Sequence, residues 1–129
     1  MKRILIADDQ PHVQRVLKLT LEREGYEVAT VGNGAAALER IRRDAPDVLI
    51  TDIQMPVMSG EQLCHAIKAE FPDRAFPIFV MTSMTERDNW RWSSQIGNAR
   101  LLEKPLSPRN LVKELAALAA AANAEGLPA

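Results

Sequence analysis

Asp52 stands at the end of the apolar run Val48-Leu49-Ile50-Thr51 and opens the segment Asp52-Ile53-Gln54-Met55-Pro56-Val57-Met58-Ser59-Gly60. A second acidic site, Asp8-Asp9, closes the run Arg3-Ile4-Leu5-Ile6-Ala7. A strand buried on both faces delivers its last side chains to the carboxyl edge of a parallel sheet, where open α/β folds bind their ligands. If these two strands are neighbours, three carboxylates converge. Unpaired anions a few Å apart repel by roughly several kcal/mol at the effective dielectric of a partly buried site, so the arrangement calls for a cation. Ligands that are all oxygen point to magnesium. Thr82 closes a further apolar run, Pro77-Ile78-Phe79-Val80-Met81, and Lys104 follows Leu101-Leu102-Glu103. The chemistry open to this set is phosphoryl transfer to a carboxylate. Asp52 is the nucleophile, magnesium held by Asp8, Asp9 and Asp52 neutralises phosphoryl oxygens, and the Lys104 ammonium and Thr82 hydroxyl bind the others.

Each residue has a plainer account when taken alone. Asp9 can cap the first helix, Asp52 can serve the turn before Met55-Pro56, Thr82 can cap a strand end and Lys104 can be a solvated lysine. Their joint placement at successive strand ends favours the chemical reading.

The elements that position them alternate. Short apolar runs near 3–7, 27–31, 47–51, 76–81 and 100–102 are each followed by helix-like sequence, a repeated βα rhythm. The first helix carries Val13, Val16, Leu17, Thr20 and Leu21 at helical spacing, starts near Pro11 and stops at Gly25. Ala37, Leu38 and Ile41 nominate a second helix ending before Pro46; Leu63, Cys64 and Ile67 nominate a third ending before Pro72. A last helix begins around Ser107-Pro108 with Leu111, Leu115 and Leu118, and grades into an alanine-rich tail expected to fray. Parallel strands with right-handed helical crossovers imply an α/β fold, a doubly wound five-stranded parallel sheet with five helices in an α/β/α sandwich. The flavodoxin-like order 2-1-3-4-5 sets strands one and three side by side, as the convergence of Asp8, Asp9 and Asp52 requires. We expect one domain over 1–122 and a short flexible tail over 123–129.

With 129 residues, and 16 Lys and Arg against 17 Asp and Glu, the chain has room for one sizeable core and no bulk charge of the kind nucleic-acid or membrane binders carry. No run reaches membrane-spanning length, and Met1-Lys2-Arg3 leads directly into a strand too short for a signal peptide, so a cytoplasmic location is expected. Lone Cys64 reads as a small core hydrophobe. His12 and His65 lack companion ligands for a zinc site, and Gly32-Asn33-Gly34 reads as a turn rather than a dinucleotide loop.

The segments Ile4-Leu5-Ile6-Ala7-Asp8-Asp9, Leu49 through Gly60, Val80-Met81-Thr82-Ser83 and Leu102-Glu103-Lys104-Pro105 resemble the receiver domains of response regulators, the CheY-like family, over roughly residues 2–120. The resemblance implies that Asp52 accepts phosphate from a histidine kinase or histidine phosphotransfer protein. It implies that Asp8, Asp9 and Asp52, with the Gln54 backbone carbonyl, hold Mg2+, and that Thr82 and Lys104 sense the phosphoryl group. From the length, which leaves no room for a separate output domain, and the nearly cancelling charges, we expect a stand-alone signalling module without nucleic-acid or membrane partners, whose only reactions are its own phosphorylation and dephosphorylation. Its output surface would be the face of the fourth helix, fifth strand and fifth helix. The chain departs from the family at Leu101, where receivers usually carry a switching Tyr or Phe, and at Leu106, where Phe is frequent. Trp90 and Trp92, two apart and unable to share one helical face, are candidate partner anchors near that surface. The alternatives are a constitutive docking receiver, which Leu101 favours, and an aspartyl-nucleophile phosphohydrolase, which wants a second acid where Gln54 stands.

Overall fold

Strand β1 (Arg3–Ala7) lies between β2 (Glu27–Val31) and β3 (Val48–Asp52) in a five-stranded parallel sheet. Beyond β3 come β4 (Ile78–Thr82) and β5 (Ala99–Glu103), giving the order β2-β1-β3-β4-β5 expected from the sequence. The computed structural model describes residues 3–82, 96–103 and 107–124, with the side chains of the last helix described as far as residue 117. Its helices are α1 (Pro11–Arg23), α2 (Gly34–Arg43), α3 (Gly60–Glu70) and a C-terminal helix, Pro108–Ala124. The segment in which the sequence places a further helix, with Trp90 and Trp92, lies outside the described residues, as does Lys104.

Strand alternation builds two cores, one on each face of the sheet. Leu5, Ala7, Leu49, Ile78 and Val80 pack against Ala37, Leu38 and Ile41 of α2 and Leu63, Cys64 and Ile67 of α3. Ile4, Ile6, Val48, Ile50, Phe79 and Met81 point the other way, onto Leu17 and Leu21 of α1 and Leu111 and Leu115 of the C-terminal helix. Every residue of β3 and β4 is buried, as central parallel strands demand. Full burial of one such Leu or Ile contributes about 1.5–3 kcal/mol.

Local chemistry sets the helix ends. Pro11 opens α1, where a missing N–H costs nothing, and Gly25, at φ 95°, reverses the chain after it. Asn33 caps α2, its side-chain oxygen accepting from Ala36 N–H at 2.8 Å, so the Gly32-Asn33-Gly34 segment is indeed a turn into a helix. Ser59 and Gln62 form a reciprocal capping box at the start of α3. The C-terminal helix runs through Ala124, into the segment expected as tail. Among the described residues no helix is long and apolar enough to cross a membrane.

Candidate metal and phosphoacceptor site

Because β1 and β3 pair in register, Ile4 with Val48 through Ala7 with Thr51, the next residues of both strands emerge side by side at the carboxyl edge. Asp8, Asp9 and Asp52 each present a carboxylate oxygen there, all within 4.8 Å of one another. Asp8 and Asp52 are buried, at 0% and 4% exposure, whereas Asp9 is exposed and open to an incoming ligand. The donors are all hard oxygens, two of them on buried side chains of like charge, a set whose repulsion a small divalent cation relieves. The group therefore fits magnesium.

The two buried carboxylates are each held from their own loop. Asp8 Oδ1 accepts from Gln10 N–H at 2.8 Å, closing a turn that leads into α1. That bond reassigns the capping role: Gln10 is the N-cap of α1, without a side-chain cap, and Asp9 makes no such bond to the helix. Asp52 Oδ1 accepts from Ile53 N–H at 2.8 Å, and Thr51 Oγ1 donates to the Asp52 carbonyl at 2.9 Å. The loop after Asp52 is clamped at two points. Gly60 N–H donates to Ile53 O at 2.7 Å and Gly34 N–H to Met58 O at 2.9 Å.

Thr82 is buried at the end of β4, one residue past Met81, which pairs with Asp52. It thus stands on the strand adjacent to Asp52, at the same edge. Thr82 also pairs with Glu103, the last residue of β5, from which the sequence continues into Lys104. Gln54 is exposed two residues beyond Asp52. Leu101, at the position the family usually fills with an aromatic, is half-buried on β5 opposite Val80.

Other candidates fall away from this edge. Cys64 is fully buried in the core, where burial pushes its thiol up to about 12, the signature of an inert small hydrophobe. His12 is exposed on α1, and His65 lies on α3 with Nε2 3.7 Å from Glu61 Oε2; among the described residues neither joins a group of three metal-ligating side chains. Two clefts of about 270 and 350 Å3 open at the opposite, amino edge of the sheet, beside Arg3, Glu27 and Pro46 and beside Asp47 and Phe76. Neither touches the carboxylates.

One residue of the site escaped the sequence reading. Gln14 of α1 donates from Nε2 to the Asp8 carbonyl and, at 3.0 Å, to the Val31 carbonyl. The available signal was a polar side chain on the same stripe of α1 as Leu17 and Leu21, three and seven residues on.

Comparison with known proteins agrees with the geometry. Residues 4–116 match the response regulator receiver domain family. The chain is 31% identical over 116 residues to the DNA-binding response regulator MtrA of Mycolicibacterium smegmatis, covering 90% of this chain and 50% of that protein. It is 30% identical over 110 residues to the alkaline phosphatase synthesis transcriptional regulatory protein PhoP of Bacillus subtilis, covering 85% of this chain and 45% of that one. The chain thus spans about half the length of these curated relatives, one named as DNA-binding and the other as a transcriptional regulatory protein, and its balanced charge speaks only for its own residues. Among solved structures, the chemotaxis response regulator CheY4 of Vibrio cholerae superposes with a TM-score of 0.81 at 31% identity, over 89% of this chain and 96% of that one. A parallel sheet in the order 2-1-3-4-5, an acidic cluster at its carboxyl edge and a family match over most of its length together place this chain in the response regulator receiver domain family of two-component signalling.

Proposed function

We propose that this chain is a cytoplasmic, phosphorylation-controlled binding module whose phosphoacceptor is Asp52. The observation that carries the proposal is the convergence of Asp8, Asp9 and Asp52 within 4.8 Å at the end of β1 and β3. Receivers of this family interact with histidine kinases, so the donor is a histidine kinase or a histidine phosphotransfer protein. An Asp52 carboxylate oxygen attacks the phosphorus, the bond to the donor's imidazole nitrogen breaks, and water later hydrolyses the resulting acyl phosphate, restoring the carboxylate and releasing inorganic phosphate. Asp8, Asp9 and Asp52, with the Gln54 backbone carbonyl, would hold Mg2+, which supplies positive charge against the phosphoryl oxygens. Buried Thr82, on the adjacent strand, donates its hydroxyl to the phosphoryl group, and Lys104 contributes an ammonium. The product is a changed surface rather than a released chemical, presented to a downstream protein partner by the face to which β5 and the C-terminal helix contribute, with Trp90 and Trp92 as anchors.

The test is incubation with magnesium and acetyl phosphate, read by intact mass. One hydroxylamine-labile phosphoryl group per chain is expected, absent from Asp52→Ala and absent without a divalent metal. Unchanged labelling of Asp52→Ala would remove Asp52 from its role.

Leu101 favours a second reading, a docking receiver that binds its partner whether or not it is phosphorylated. Equal partner affinity of the phosphorylated and resting forms would select it. A phosphohydrolase is disfavoured by Gln54, an amide where that chemistry wants a second acid.

A further inference from the structure

We propose that Gln14 is a positioning residue for the metal site, holding the peptide plane between Asp8 and Asp9. The inference rests on reading Asp8, Asp9 and Asp52 as a magnesium site. The Gln14 amide nitrogen sends one proton to the Asp8 carbonyl, at 2.5 Å, and the other to the Val31 carbonyl, at 3.0 Å. An amide oxygen in that place would face two carbonyl oxygens, so the partners themselves fix the orientation of the side chain. Val31 O accepts in addition from Asp8 N–H at 3.1 Å. Asp8 is therefore held at three points: its N–H by β2, its Oδ1 by Gln10 N–H and its carbonyl by Gln14.

The third point matters because the Asp8 carbonyl and the Asp9 N–H belong to one rigid plane. Orienting that carbonyl toward α1 fixes the direction in which the chain leaves Asp8, and hence where the exposed Asp9 carboxylate is presented. Without it, α1 and the ends of β1 and β2 remain in place, joined by apolar packing and ladder bonds, but the Asp8-Asp9 plane can rotate. A metal needs its ligands within a few tenths of an ångström, and partners that merely orient ligands commonly contribute about 10-fold or more in affinity.

The experiment compares magnesium dissociation constants, read from amide chemical shifts during titration with magnesium chloride. Gln14→Met keeps the length and removes both donors. Gln14→Glu also removes them but adds a negative charge near the site. Val13→Ala, which trims a half-buried contact with the core on the same turn, controls for general destabilisation. Gln14→Met and Gln14→Glu should both weaken magnesium binding about fivefold or more, and the Asp9 amide should exchange faster in both without metal. Val13→Ala should lower the melting temperature and leave the dissociation constant within twofold. Long-range charge alone predicts tighter binding for Gln14→Glu, so a gain there overturns the proposal. Unchanged affinity in Gln14→Met, or an equal loss in Val13→Ala, overturns it as well. Absence of magnesium binding by the unsubstituted protein would instead remove the metal site itself.

Discussion

Gly60 begins α3 directly against the carbonyl of Asp52: a Cβ on Gly60 would lie 2.1 Å from the Asp52 oxygen and 2.9 Å from the Ile53 Cα. No side chain fits there, and the obstacle is backbone that cannot swing aside. The helix start and the acceptor carboxylate are therefore fixed to one another. Gly60→Ala should push α3 off the loop and cost about 3 kcal/mol, roughly 10 °C in melting temperature for a chain of this size. Its acceptance of phosphate should fall further than its stability does. Thermal melting and a labelling time course on the same sample check both, and a variant that labels at the normal rate would break the link drawn between Gly60 and Asp52.

Val57 lies in the same loop, at φ 68°, with its side chain 83% exposed. Met58 N–H donates to Pro56 O at 2.7 Å across it, a three-residue turn that a β-branched residue adopts under strain. The strain is held by the bond from Gly34 N–H to Met58 O. Relief of about 1–3 kcal/mol, less about 0.5–1 kcal/mol for the freer unfolded chain, predicts that Val57→Gly is more stable by about 1 kcal/mol. Urea unfolding with an unchanged m-value measures it; a less stable variant would show that the turn carries no strain.

Magnesium should stabilise the fold. At about tenfold excess over its dissociation constant, binding to the native state alone contributes about 1.4 kcal/mol. Melting curves should rise with magnesium, and Asp9→Asn should remove most of the gain by deleting the exposed ligand. Melting that ignores millimolar magnesium would count against the site.

Cys64 should behave as buried hydrocarbon. With its thiol raised to about 12 by burial, the reactive thiolate is absent from the folded protein at pH 7 to 9, so iodoacetamide should modify it only on unfolding. Cys64→Ser should cost about 1–3 kcal/mol by burying a hydroxyl in the core formed with Leu63 and Ile67. Rapid alkylation of the native protein would contradict this.

How much of this was legible in the sequence depends on whether a feature is local. The acidic edge could be read because buried strands end there in polar residues, the strand order followed only from requiring Asp8, Asp9 and Asp52 to converge, and β2 falls where its apolar run does. The ends of β3 and β4 were read one or two residues early: Asp47 turns aside to accept from Arg3 N–H at 2.7 Å, and β4 starts only at Ile78. Gln14 was hidden because its partners are backbone carbonyls, which no side-chain pattern encodes. The close approaches at Gly34, where a Cβ would lie 2.5 Å from the Met58 oxygen, and at Gly60, and the turn at Val57, arise where separate loops meet, and backbone sterics argue against a β-branched residue in that turn.

The most direct test of the account is to locate the phosphoryl group. After phosphotransfer from a phosphorylated histidine kinase in magnesium, reduction with borohydride converts an aspartyl phosphate to homoserine, which peptide mass spectrometry assigns to a position. The account predicts conversion at Asp52 alone, with Asp8 and Asp9 intact as metal ligands. Conversion at Asp8 or Asp9, or stable label with none at Asp52, would contradict it.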